Sequence, residues 1–302
     1  MEHKSFYDEI AKNRRNSILL ALILIIFIVI LSSTLSYMIA PEYIIIVLPI
    51  SLIFMTVYTY SSYMYGDKVV LSATGAKPAE GNDYIYLRNS VEGLSIAAGI
   101  QQPKVYVIES SEMNAFATGR DPEHASVTVT TGLMKALNRQ ELEGVIAHEL
   151  SHIRNRDVTF MTLVAVAVGL IAILSDMILR SFRYGAFSGG RKKRDKSGGI
   201  TLVILAVGFF LAIFAPILTR LVQFAVSRKR EYLADASGVE LTRYSEGLAA
   251  ALEKIKNNNG GNMKVSEAVS HLFFVDPNKS ALDALYATHP PIDERIKRLR
   301  QM

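Results

Sequence analysis

Two histidines four residues apart, with a glutamate directly after the first, stand in the segment AHELSH at 147–152 of this 302-residue chain. On a helix, positions i and i+4 share one face, so His148 and His152 can present their imidazoles to a single metal ion. Glu149 can lean over the same ion and take a proton from bound water. That is the equipment of metal-assisted hydrolysis. A catalytic zinc takes three protein ligands and keeps a fourth position for water. The chain has no cysteine, so the third ligand must be His, Asp or Glu, and no disulfide framework is available. Glu231, in RKREYLADASG, is the candidate, and Asp235 lies one helical turn further along. Asp235 is placed to accept the far N–H of a ligand histidine and so fix its tautomer. His289, in THPPIDER, precedes two prolines that hold it extended, and it could donate to the oxyanion formed when water attacks a carbonyl. Each residue also has a plain reading: Glu231 as the partner of Arg228 or Arg230 on a solvated helix, Asp235 as an ordinary helix carboxylate, His289 as a turn histidine.

These side chains need elements to hold them. Asn138 with Glu141 three residues on is a capping-box pattern, and the helix it opens, QELEGVIAHELSHI, is apolar at 142, 145, 146, 150 and 153. Residues 81–99, 222–239 and 244–256 have helical spacing; PKVYVIES (103–110) and ASVTVTTG (125–132) read as strands, the second rich in β-branched residues. KNNNGGNMK (256–264) is a loop, and a last helix starts at HPPIDERIKRL. NAFATG (114–119), taken by itself, is a small-residue turn.

Half of the residues are hydrophobic, and much of that lies in four apolar runs, at 16–41, 43–66, 158–175 and 200–219. About 20 apolar residues cross a ~30 Å hydrocarbon layer, which predicts four transmembrane helices, the first two at about 17–40 and 43–65. The first run is too long for a signal peptide, and no small-residue cleavage site follows it. Tyrosines 37, 43, 58, 60, 63 and 65 sit towards the ends of the first two, as amphipathic rings do at the headgroup level. The chain then divides into an N-terminal segment and hairpin (1–66), a first catalytic half (67–157), a second hairpin (158–222) and a second catalytic half (223–302). Parity puts both polar halves on one side of the membrane. His152 shortly precedes the third run and Glu231 shortly follows the fourth; at ~1.5 Å per residue both stand roughly 10–15 Å from the same face.

The net charge of +5 comes from basic residues flanking the apolar runs. That points to a lipid bilayer as partner, and without a nucleic-acid motif it argues against nucleic acid. Lys4, Lys12, Arg14 and Arg15 favour a cytoplasmic N-terminus and cytoplasmic catalytic side, in a multi-pass protein of the cell membrane. The basic loop at 180–199 runs against that tendency.

Together NAFATG, VTVTTGLM (127–134), AHELSHIRNRD (147–157), SRKREYLADASG (227–238) and THPPIDERI (288–296) resemble the HtpX family of membrane-bound zinc metalloproteases, relatives of the CAAX prenyl proteases. The resemblance covers essentially the whole chain. It implies an α+β, mostly helical membrane protein whose zincin-like (gluzincin) domain carries a small β-sheet. It implies one zinc ion at His148, His152 and Glu231, Glu149 as general base, Asp235 behind the ligands and His289 near the oxyanion. Asn114, Ala115 and Phe116 resemble the family's substrate-binding edge, where an extended peptide adds as a strand. The implied activity is a stress-response endopeptidase that removes misfolded membrane and membrane-proximal polypeptides. The alternatives are a prenyl-protein (CAAX-type) processing endoprotease, which in that branch has more spans, and a non-catalytic membrane scaffold. An intact Glu149 speaks against the scaffold, and against a small transporter or channel stands the lack of paired charges within the predicted spans, the marginal Asp176 apart.

Overall fold

The first two apolar runs fold as long helices, α1 (Phe6–Ile39) and α2 (Ile44–Ala73), joined by a 3-10 turn at Pro41–Tyr43. The computed structural model describes residues 6–39, 41–170, 228–258, 263, 265–275 and 290–302. The fourth apolar run, the basic 180–199 loop and His289 fall outside them. Among the described residues, α2 alone is long and apolar enough to cross a membrane by length and composition. Its Ile45 is 80% exposed, and Ile53 and Phe54 also face outward, which water would penalise and hydrocarbon would not. The third run begins as helix α6 (Asp157–Leu170), apolar but shorter over its described length. α6 packs closely on α2: a Cβ on Gly66 would stand 3.1 Å from Thr162 Cγ2.

Beyond α2, a 3-10 turn at Asn82–Tyr84 leads into α3 (Ile85–Ala98), and then the chain builds a four-stranded sheet. Its strands are β1 (Lys77–Pro78), β2 (Lys104–Ile108), β3 (Ala115–Gly119) and β4 (Ala125–Thr130), in the order β1-β2-β4-β3. β2 and β4 run parallel, with Lys104 opposite Ser126; β3 pairs antiparallel with β4, Phe116 opposite Thr128. β3 is therefore an edge. Here the structure corrects the reading of NAFATG as a turn. The segment is a fully buried strand, and its small side chains suit a tight fit, since a Cβ on Gly119 would come within 2.7 Å of Ala125 Cα.

After the short α4 (Thr131–Ala136) comes α5 (Arg139–Arg154), which carries the HELSH segment. Its cap forms as the sequence predicts: Glu141 N donates to Asn138 Oδ1 at 3.0 Å, and Asn138 N to Glu141 Oε2 at 2.8 Å. A cap of this kind is worth about 1 kcal/mol. Leu142, Val145, Ile146, Leu150 and Ile153 enter one core with Val127 and Val129 of β4 and with Leu248, Leu252, Ile296 and Leu299 from the C-terminal segment. That segment holds α7 (Arg228–Thr242), α8 (Ser245–Asn258), α9 (Glu267–Ser270) and α10 (Ile292–Leu299). Two glycines let helices approach α5 at backbone distance. A Cβ on Gly144 would lie 2.8 Å from Leu248 N of α8, and one on Gly238 of α7 would lie 3.1 Å from His148 N.

Candidate active site

Gly238 brings α7 against the very turn of α5 that bears His148, and that contact delivers Glu231. His148 Nε2 and His152 Nε2 are 3.2 Å apart. Glu231 Oε2 lies 3.7 Å from the first and Oε1 3.6 Å from the second. All three residues are buried, and their ligand atoms lie within 4.8 Å of one another. In a tetrahedral zinc site, atoms about 2.0–2.2 Å from the ion stand roughly 3.3–3.5 Å from each other. The donor set fits zinc.

The remaining ring nitrogens are held from behind. His148 Nδ1–H donates to Asp235 Oδ1 at 3.0 Å, and His152 Nδ1–H to Asp157 Oδ2 at 3.0 Å. With both Nδ1 atoms so engaged, both Nε2 lone pairs face the shared point, the tautomer a ligand needs. Two buried arginines complete the shell. Arg295 of α10 donates from Nε to Asp235 Oδ2 at 2.9 Å and from Nη2 to Oδ1 at 2.7 Å, with Nη1 3.7 Å from Glu231 Oε2. Arg230 of α7 pairs through Nε with Asp157 Oδ1 at 3.0 Å.

Charge makes the same case. Four buried carboxylates (Glu149, Asp157, Glu231, Asp235) surround the point, against two buried guanidiniums. Buried charge that is not compensated is costly, and a divalent cation supplies the difference. Burial pushes Glu149 up to about 7, with the Ala117 N–H bond and nearby positive charges pulling the other way. Burial takes His148 down to about 4, against Asp235. At His152 burial also works downward, but Asp157, Glu231 and Glu149 outweigh it and raise the imidazole to about 9. Burial works to raise Asp235, and Arg295 and His148 hold it below the usual carboxylate range. A metal bound here would take the place of the proton these carboxylates favour on His152, whose Nε2 lone pair is available only in the neutral ring.

The structure thus brings together His148, Glu149, His152, Glu231 and Asp235. Arg230 pairs with Asp157, and Glu231 is buried beside the two imidazoles, not on a solvated helix face. Asn114 and Ala115 are occupied by the chain itself: Asn114 Nδ2 donates to Val275 O at 2.7 Å, Val275 N to Asn114 Oδ1 at 3.1 Å and Phe274 N to Ala115 O at 2.8 Å. The Phe116 ring packs on Phe273 at 4.8 Å, and Phe274 meets His148 edge-on at 4.9 Å.

Sequence reasoning missed Asp157, Arg230, Arg295 and Phe274. Asp157 follows His152 by five residues, which no helical spacing pairs with it. The chain leaves α5, passes through Arg156 at φ +58° and folds back under the ring. A positive φ at a non-glycine is the price of that reversal.

Comparisons agree with this geometry. The profile of Peptidase family M48 matches residues 83–302. A protein described as "Protease HtpX homolog" from Caldanaerobacter subterraneus subsp. tengcongensis is 48% identical over 250 residues, 83% of each chain. Another with that description, from Dictyoglomus thermophilum, is 44% identical and covers 100% of this chain and 96% of its own. The crystal structure of S. mikatae Ste24p shares the fold at a TM-score of 0.50 and 22% identity, over 89% of this chain and 65% of that one. A buried His-Glu-His centre, a family profile across most of the chain and relatives aligned end to end leave one conclusion: the chain belongs to Peptidase family M48, among its HtpX-type metalloproteases.

Proposed function

We propose that this protein is a membrane-embedded zinc endopeptidase that cleaves misfolded or damaged polypeptides in or beside the membrane, with its catalytic domain on the cytoplasmic side. The observation that carries the reading is the convergence of His148, His152 and Glu231 next to Glu149, in a polar domain joined to the apolar helix α2. When bound there, zinc supplies Lewis acidity for the peptide carbonyl and for water. Glu149 takes the proton of the attacking water and delivers it to the departing amine nitrogen. Asp235 and Asp157 keep the two imidazoles in the ligand tautomer throughout.

The polypeptide would lie along the β3 edge, which Asn114, Ala115 and Phe116 begin. Phe274 and Val275 already bond there through their main chain, and a substrate strand would continue the same edge towards Ala117, whose N–H reaches Glu149. Recognition of main chain more than side chain suits a quality-control enzyme with many substrates. A direct test is hydrolysis of an unfolded soluble protein by the detergent-purified enzyme, with chelator added and zinc then restored. Cleavage that stops with chelator and returns with zinc supports the reading; cleavage indifferent to both contradicts it.

A further inference from the structure

Each metal-directed imidazole is backed by an aspartate, and each of those aspartates is gripped by a buried arginine from elsewhere in the chain. Resting on the zinc-site reading above, we propose that Arg295 and Arg230 are positioning residues, Arg295 fixing Asp235 behind His148 and Arg230 fixing Asp157 behind His152.

A single histidine hydrogen bond leaves a carboxylate free to rock about its own axis, and the imidazole plane rocks with it. A guanidinium that donates to both oxygens removes that freedom. Arg295 does so, at 2.9 and 2.7 Å, and its third nitrogen stands 3.7 Å from Glu231 Oε2. One side chain on α10 therefore braces a ligand on α5 through Asp235 and faces the ligand on α7 directly. Its plane is set in turn by Phe274, whose ring centre lies 4.7 Å from Cζ. Arg230 forms an ion pair with Asp157, Nε standing 3.0 Å from Oδ1, and its guanidinium lies over the Phe160 ring at 5.9 Å. Nothing in charge balance alone requires a two-pronged grip. A lysine would neutralise Asp235 equally well but could not reproduce the fork.

The test is a double-mutant cycle read on zinc affinity, measured by chelator competition on the full-length protein in detergent, with the visible spectrum of the cobalt-substituted protein as a second readout. Arg295→Met is expected to weaken zinc about 10–100-fold, the scale for a residue that orients a ligand, and to shift the cobalt band. Arg295→Lys should fail to restore either. Asp235→Asn combined with Arg295→Met should lose far less than the product of the two single losses, because the arginine acts mainly through that carboxylate. The double variant removes one buried negative and one buried positive charge together and so leaves the net buried charge unchanged, which gives the answer if Arg295→Met alone does not fold. The parallel pair, Arg230→Met and Asp157→Asn, should show the same non-additivity with a smaller loss, about 10-fold, because an ion pair without the forked hydrogen bonds of Arg295 restrains the carboxylate less. Losses that multiply in the double variants, full rescue by lysine, or unchanged affinity in a folded Arg295→Met protein would each overturn the proposal. Wild type that takes up no zinc overturns the metal site itself, and the positioning with it; wild type that binds zinc leaves the variants to decide the positioning alone.

Discussion

α2 and α5 are built on opposite rules. α2 turns Ile45, Ile53 and Phe54 outward and buries Ser51 and Gly66. α5 buries His148, Glu149 and His152 and exposes only Arg139 and Gln140, at its first turn. Outward apolar residues make sense where the surroundings are hydrocarbon. Inward charge makes sense only where each charged group has an answering one, as Asp235 has in Arg295 and Asp157 in Arg230. The contrast teaches that polarity in this chain marks where the chemistry is, while apolarity marks two different things, the core and the bilayer.

The contrast breaks most completely at the metal ligands. His152→Ala removes one of three ligands and leaves Glu231 and Asp157 buried beside a hole. Zinc content should fall from about one per chain to near none and cleavage to background, a loss of at least ~10²-fold, checked by metal analysis beside a peptidase assay. On α2 the matching change is Ile53→Lys. A charge at the middle of a span costs about 2.5–3.5 kcal/mol, so the share of protein resisting alkaline extraction from membranes should drop clearly. If α2 faced water instead, that lysine would change nothing.

A pH profile sharpens the view of Glu149. Burial raises its carboxyl to about 7, and the base works ionised, so kcat/KM should fall as pH drops through that value. A bound cation favours the carboxylate, so the fall lies at or below pH 7 in the zinc-loaded enzyme. An acid limb above pH 8 would contradict this. Gly144→Ala is milder. The new methyl would sit 2.8 Å from Leu248 N, and such overpacking costs about 1–3 kcal/mol, seen as a Tm lowered by a few degrees with zinc stoichiometry kept.

Sequence was most informative where spacing is local. The capping box at Asn138 and Glu141, the apolar face of α5, the strands β2 and β4, and the placing of Glu231 and Asp235 one turn apart on one helix all follow from helix and strand periods, and the structure has each of them. β3 was hidden because Ala-Phe-Ala-Thr-Gly lacks the β-branched composition of a strand; what makes it one is the space left between β4 and α5. Asp157 was hidden by the left-handed turn at Arg156. Arg295 could not be read at all, since nothing local ties it to Asp235, sixty positions away along the chain. The same holds for Phe274 and Val275, whose hold on Asn114 and Ala115 joins distant segments.

The measurement that bears most directly on the central claim compares wild type with Glu149→Gln, both loaded with zinc and assayed for metal content and for cleavage of an unfolded protein. The account predicts about one zinc per chain in both, and a rate lower by at least ~10²-fold in the variant, because binding and proton transfer are assigned to different residues. A variant that keeps its zinc and cleaves at the wild-type rate would contradict it, since Glu149 would then not be the base around which this site is built.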